Sequence, residues 1–367
     1  MEKLRVALVS TTAVGSPGSM RVYADLLLQA LQRDAPEIEA NLVELDPHPA
    51  GPGWRQRLAT LALPWRARRV ASLKPQLWHI LDGSRAYLAE GLRGAPVVIT
   101  AHDIIPVLQQ QGQFPGAPAV GAAARWLWKR NGNAIRAAAS LVCDSERTLS
   151  DVSTTYGVPR QASVVQLPVR PALAALDSSE NTIRETGLVL HVGNNGFYKN
   201  RAQVLHVFAA LDRALAHRLV MVGPPPVPAL RELSRQLGIA PSVQWLEDVD
   251  DAQVAHWYQR ASVLVFPSLY EGYGWPVLEA MSCGLPVVAS HGGSLPEVVG
   301  AVAPCLAPDD VDGFVREIEV ILADPNLAAL RAARGRERAG QFTMARFARE
   351  MAAVYQAAVT GNPRGLH

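Results

Sequence analysis

The sequence predicts an α/β protein made of two doubly wound, Rossmann-like parallel-sheet domains. Three observations predict it. Short β-branched runs alternate with Ala/Leu-rich stretches of helical spacing along most of the chain. The alternation lapses once, from Pro168 to Gly187, into Pro, Ser, Asp and Glu, and then resumes. The chain has 367 residues, whereas one ordinary domain takes about 100–200. Strands that alternate with helices demand a parallel sheet covered on both faces. The expected domains are 1–170 and 171–342, with a closing helical segment, 343–367, free to pack back on the first.

In chain order, Leu4–Val9 reads as the first strand, and Val22–Leu31 carries helical spacing after a Gly/Pro/Ser loop. Leu77–Leu81, Val97–Ala101, Ser140–Cys143 and Ser163–Leu167 follow as strands. The second series is Leu188–Val192, Arg218–Val222, Val243–Leu246, Val263–Phe266 and Pro286–Ser290, with helices between. A last helix runs over Thr343–Val359. Sheets of this kind bind ligands outside the carboxyl ends of their strands, so those loops are where chemistry is sought.

Composition narrows the classes. Hydrophobic residues make up 49% and charged residues 19%, as in a folded globular protein. A formal net charge of +2 gives no general attraction for nucleic acid, and no nucleic-acid partner is expected. The three cysteines, Cys143, Cys283 and Cys305, have neither the number nor the spacing of a disulfide framework or a zinc site. The opening MEKLRVALVS is too short an apolar run for a secretory signal. No stretch approaches the roughly 20 apolar residues of a spanning helix. A cytoplasmic protein is expected.

The most informative stretch is VLVFPSLYEGYGWPVLEAMSCGLPVVASHGGSLPE, residues 263–297. A strand ends at Phe266, and a loop carries Glu271, Gly272, Tyr273 and Gly274. A helix then starts near Pro276 and stops at Gly284, residue types suited to those ends. The glycines let backbone N–H groups approach a ligand, and the helix start adds positive dipole, which together make an anion site. Glu279, placed in the helix's first turn, suits the paired hydroxyls of a ribose. Glu271, on the loop side, suits those of a sugar ring.

This segment resembles the signature of glycosyltransferase family 4, retaining enzymes of GT-B fold whose two domains face a cleft. The resemblance implies that Glu279 holds the nucleotide ribose, that Glu271 sits at the donor sugar, and that the backbone of Gly272–Gly274 lies against sugar and diphosphate. Further pieces follow in order. HVGNNGFYKN, 191–200, sets Lys199 just before the expected N-cap Asn200, where it would clamp phosphate. Many relatives place an arginine directly after the strand glycine; here that position is Asn194. His102 and Asp103 close the strand VVITAHDIIP, and the resemblance turns the histidine toward the transferring sugar. The loop PGSMRVY has Gly18 where the family has the first of two glycines, but Ser19 in place of the second. His102, Lys199 and Glu271 are thus the expected catalytic residues. Gly18, Ser19, Asp103, Gly272, Tyr273, Gly274 and Glu279 are the expected substrate contacts.

The function implied is transfer of a sugar from a UDP- or GDP-sugar to a glycan or lipid-linked acceptor, in cell-envelope polysaccharide or glycolipid assembly. No metal and no cofactor beyond the donor is expected, because lysine, loop amides and helix start carry the charge. Two alternatives stand beside it: a nucleotide-sugar epimerase or hydrolase on the same fold, and a catalytically silent nucleotide-sugar-binding protein. One segment remains. Trp54, Leu58, Leu61 and Trp65 share a helical face, flanked by Arg55, Arg57, Arg66, Arg68 and Arg69. Such a face over 54–69 suits either the surface of an anionic membrane or ordinary packing on the parent sheet.

Overall fold

The computed structural model describes residues 2–12, 18–45, 63–119, 121–157, 160–174 and 184–361. The chain divides into two compact units, Met1–Pro168 with Thr343–His367, and Val169–Phe342. Each is built around one six-stranded parallel sheet.

In the first unit, β1 (Leu4–Ser10), α1 (Ser19–Asp34) and β2 (Ile38–Glu44) form the opening crossover. A helix, α2 (63–70), precedes β3 (Leu77–Ile80). Then come β4 (Val97–Ala101), α3 (Ile105–Gln110), α4 (Ala122–Ala137), β5 (Ser140–Cys143), α5 (Glu146–Tyr156) and β6 (Ala162–Val164). The sheet order is β2-β1-β3-β4-β5-β6. Strands β3 and β5 are buried at every position, as strands covered on both faces must be. β2 is an edge strand whose exposed Glu39, Asn41 and Glu44 hid it from hydropathy.

On α2, Leu63 and Ala67 point inward while Trp65 is 63% exposed, with the Arg69 guanidinium 4.7 Å from its ring centre. Of the expected face of Trp54, Leu58, Leu61 and Trp65, only Trp65 is among the described residues, and it points away from the buried pair Leu63 and Ala67. Residues 54–62 lie outside the described residues.

The second unit repeats the plan. Its elements are α6 (Pro171–Ala174), β7 (Leu188–Val192), α7 (Arg201–Ala210), β8 (Arg218–Val222), α8 (Pro228–Gln236), β9 (Val243–Leu246), α9 (Asp251–Arg260) and β10 (Val263–Phe266). They continue through α10 (Trp275–Ser282), β11 (Val287–Ser290), α11 (Leu295–Val299), β12 (Cys305–Leu306), α12 (Val311–Ala323) and α13 (Pro325–Ala339). The order is β12-β11-β10-β7-β8-β9. Its core packs Val204, Leu205 and Phe208 of α7 with Phe314 and Ile318 of α12 against the sheet.

The last helix, α14 (Met344–Thr360), belongs to the first unit and packs along α1. Thr343 caps it through Arg346 N. A buried polar chain fixes it there. Tyr355 Oη lies 2.8 Å from His79 Nδ1, whose Nε2 lies 2.7 Å from Thr100 Oγ1, itself 3.0 Å from Tyr23 Oη. Burial lowers the His79 pKa to about 3, and the nearby His102 charge adds to this, so the ring is neutral. Tyr355→Phe is expected to strand one His79 nitrogen at a cost of about 1–3 kcal/mol. Thermal denaturation is the check, and an unchanged melting temperature would show that the chain does not secure the helix.

Candidate functional site

In the second sheet β7 and β10 are neighbours, yet the chain leaves them on opposite sides, toward β8 and toward β11. The loops after the two strands therefore diverge at their carboxyl ends, the position where sheets of this kind bind ligands. The β7 loop ends in a 3-10 turn, Phe197–Lys199, and then Asn200 at φ 52° starts α7. Asn200 occupies the N-cap position, but its side chain does not cap. Instead it donates to the Pro267 carbonyl at 3.0 Å and the Pro308 carbonyl at 3.3 Å. Leu269 N–H also donates to the Tyr198 carbonyl at 2.7 Å. These bonds sew the β7 loop to the β10 loop.

Lys199 is thereby turned inward. Its Nζ donates to both carboxylate oxygens of Glu271, each at 2.8 Å, and both residues are buried. The two predicted site residues meet as one ion pair. Beneath them His191, fully buried, donates Nδ1–H to the Val265 carbonyl at 3.1 Å and stacks on Phe266. Burial, with the Arg201 and Lys199 charges, outweighs that hydrogen bond and lowers its pKa to about 3.

The glycine pair after β11 explains how the Glu271 loop is held. A Cβ on Gly292 would come within 2.3 Å of the Ser268 carbonyl oxygen, and one on Gly293 within 2.2 Å of that of Glu271. Only glycines allow this approach. It brings Ser294 N–H to the Glu271 carbonyl at 3.0 Å, and Ser294 Oγ to 2.6 Å from the Tyr273 carbonyl. Gly272, Tyr273 and Gly274 are all buried along this loop. Gly274, at φ 105°, is the N-cap of α10.

Helix α10 ends in a Schellman motif: Gly284 N–H donates to Met281 at 2.9 Å and Leu285 N–H to Ala280 at 2.8 Å, with Gly284 at φ 64°. Because α10 starts at Trp275, Glu279 falls in its second turn rather than its first. It is buried and already engaged. Oε1 accepts from Arg170 Nε at 2.6 Å and Oε2 from Tyr258 Oη at 3.0 Å. Arg170 also pairs with Asp251. Burial opposes the Arg170 charge, but Glu279 and Asp251 offset it and hold its pKa above the ordinary value. Burial first, and Glu279 second, push the Tyr258 phenol up. Asp250 and Gln253 form a capping box at the start of α9.

In the first unit, His102 and Asp103 stand at the carboxyl end of β4. His102 Nδ1 lies 2.6 Å from Asp144 Oδ2, and its Nε2 lies 2.8 Å from the Leu81 carbonyl. Burial alone would depress the imidazolium. The charge and hydrogen bond of Asp144, with help from Asp82 and Leu81, more than reverse this and raise the pKa to about 9. Both ring nitrogens are donors, and His102 is a cation. Asp103 Oδ1 accepts from Ile105 N–H at 2.9 Å and so shapes the start of α3. His102, Asp103, Asp82 and Trp128 line a cavity of about 240 Å³. Gly18, at φ 126°, is the N-cap of α1, and Ser19 is its first residue; both are exposed.

Sequence reasoning missed Arg170, Tyr258 and Asp144. Arg170 had a signal, a lone cation between Pro168 and Pro171. Asp144, an acid directly after an apolar strand, had the same signal as Asp103. Tyr258 reads as a core aromatic on α9 and had none. Among the described residues, no group of three or more His, Cys, Asp or Glu is placed to hold a metal ion.

Residues 176–338 match the family model of the group 1 glycosyl transferases, and residues 22–173 match that of glycosyltransferase family 4. The chain belongs to the family-4 glycosyltransferases. A relative is the MMP alpha-(1->4)-mannosyltransferase of Mycolicibacterium hassiacum, 32% identical over 226 residues, or 60% of this chain and 54% of the relative. The chain thus spans about half the length of that relative. Sucrose-phosphate synthase from Thermosynechococcus elongatus superposes with a TM-score of 0.77 at 20% identity, over 98% of this chain and 100% of that one. The Anabaena HepE protein, solved with UDP and glucose, gives 0.72 at 16% identity, over 96% and 100%. These likenesses establish the GT-B fold.

The His102 cation has a testable origin. Asp144→Asn should lower the His102 titration well below about 9, since only Asp82 and the Leu81 carbonyl then oppose burial. With its folded pKa raised, His102 stabilises the wild-type protein most at low pH, and this contribution is lost as pH rises through about 9. NMR titration of the imidazole in both proteins is the measurement, and an unmoved midpoint would refute the assignment.

Proposed function

We propose that the protein is a retaining glycosyltransferase that moves a sugar from a UDP- or GDP-sugar to a glycan or lipid-linked acceptor, in assembly of cell-envelope polysaccharide or glycolipid. The observation that carries this reading is the buried Lys199–Glu271 pair at the divergence of β7 and β10, with Glu279 on the adjoining helix. Lys199, the loop amides and the start of α10 neutralise the diphosphate, so no divalent cation is required. As Lys199 turns to the phosphate, Glu271 accepts from the sugar hydroxyls. Glu279 accepts from the ribose. The acceptor oxygen attacks the anomeric carbon on the face the diphosphate vacates. The breaking C–O bond leaves its electron pair on phosphate, which takes the acceptor's proton. HepE, solved with UDP and glucose, and a relative that is a mannosyltransferase favour nucleotide-sugar donors.

Contact with an anionic membrane around 54–69 is part of the proposal. It is supported by the exposed Trp65 with Arg69 stacked upon it, and by a like pair on α4, Trp126 with Arg130 at 4.8 Å. Among the described residues no helix is long and apolar enough to cross a membrane.

Lys199→Met is expected to lower turnover of the accepted nucleotide sugar by about 100-fold or more, the scale of losing one main electrostatic stabiliser. Steady-state rates across UDP- and GDP-sugars, with and without excess chelator, are the test. A near-normal rate in the variant would remove the phosphate role of Lys199. Strict dependence of the wild type on added divalent cation would remove the metal-free mechanism.

A further inference from the structure

A carboxylate offers about four lone-pair positions, two on each oxygen. In Glu279 one position on Oε1 is taken by Arg170 Nε at 2.6 Å, and one on Oε2 by Tyr258 Oη at 3.0 Å. Among the described residues this leaves one acceptor position on each oxygen, on a carboxylate held by both of its oxygens. That is the complement of two neighbouring hydroxyls.

The guanidinium that enforces this arrangement is itself braced. Pro171 restricts Arg170 to an extended backbone. Val169 N–H, one residue earlier, donates to the Phe342 carbonyl at 3.0 Å, and the Arg170 carbonyl accepts from Leu173 N–H at 2.9 Å. Asp251, the first residue of α9, holds a terminal nitrogen of the guanidinium. Arg184 donates to the carbonyls of Ala261, just past α9, at 2.7 Å and Cys283, just past α10, at 2.9 Å. The helices that carry Tyr258 and Glu279 are thereby tied together.

We propose that Arg170 is a positioning residue for ribose recognition. It sets the Glu279 carboxylate so that its two remaining acceptor positions meet the vicinal 2′- and 3′-hydroxyls of the nucleotide, and it balances the buried negative charge. The proposal rests on the reading of Glu279 as the ribose carboxylate. A merely structural Arg170, fastening residues 169–174 to α9 and α10, would leave ribose selectivity alone.

The test is calorimetric binding of UDP and GDP against their 2′-deoxy counterparts. Wild type should prefer the better-bound ribonucleotide by about tenfold or more, the scale of one hydrogen bond to a charged acceptor. In Arg170→Met that preference should shrink to about twofold or less while the protein stays folded by thermal melt. If wild type binds both forms equally, the ribose reading of Glu279 fails and this proposal with it. If wild type discriminates and the variant discriminates equally, the Arg170 proposal alone is overturned. Should the methionine variant not fold, Arg170→Lys decides, because a point charge cannot span Glu279 and Asp251 as the planar fork does. Reduced discrimination supports the proposal, and full discrimination overturns it.

Discussion

An ammonium and a carboxylate meet out of water where two parallel strands part, and the C-terminal ends of the second sheet are arranged around that pair. Each ion loses several kcal/mol of hydration on burial, which a pair recovers only with close geometry. Lys199 reaches both Glu271 oxygens at 2.8 Å, and the main chain is shaped to allow it. Asn200 takes a left-handed turn and lends its amide to the β10 loop. Gly292 and Gly293 let the β11 loop lie directly on the Glu271 backbone. Ser294 then closes the contact. A buried pair of this kind is weak evidence for stability, so its physical meaning is positional: it sets two opposite charges at one fixed point of the sheet.

Three histidines, two buried and one partly buried, show how narrowly such charges are controlled. His79, His102 and His191 all lie on or at the end of parallel strands, and burial disfavours the cation in each. His79 faces only hydroxyls, and His191 faces a carbonyl and two cations; both are neutral. His102 alone has a carboxylate, Asp144, at 2.6 Å, and it alone is charged. One neighbour decides the outcome. The cation at the end of β4 in turn helps to keep His79 neutral, so the hydrogen-bonded chain to Tyr355 and the charge at His102 are set together.

Much of this was legible before any coordinates. The two sheets and the terminal helix follow from the strand and helix periods, which report burial directly. The loop of Glu271 and the helix of Glu279 follow from glycine and proline placement, because those residues act through local backbone geometry. What escaped depends on pairing at a distance. The edge strand β2 exposes Glu39, Asn41 and Glu44 and buries only Ile38 and Ala40, and β12 is only two residues long. Strand Ala162–Val164 is shorter than the run to Leu167 suggested. Arg170 reaches Glu279 across 109 positions and Asp144 reaches His102 across 42. No local pattern encodes such partners.

The departure at position 194 shows what the fold does with a missing charge. Asn194 Oδ1 accepts from Gly196 N–H at 2.8 Å, so the side chain makes a local turn where the family resemblance leads one to expect an arginine. The loop's positive charge lies further along, at Lys199 and Arg201. Arg201 is buried at the start of α7, with its guanidinium 5.3 Å from the Trp245 ring centre. It donates to the Asn195 side chain and the Pro224 carbonyl, both neutral, and burial lowers its pKa. Glu247 favours its charge without forming an ion pair among the described residues. A buried cation with neutral partners is costly, and this one braces the loop after β7, at Asn195, against the loop after β8, at Pro224. Charge at the end of β7 is therefore carried under the loop and at its exit, not at its entry.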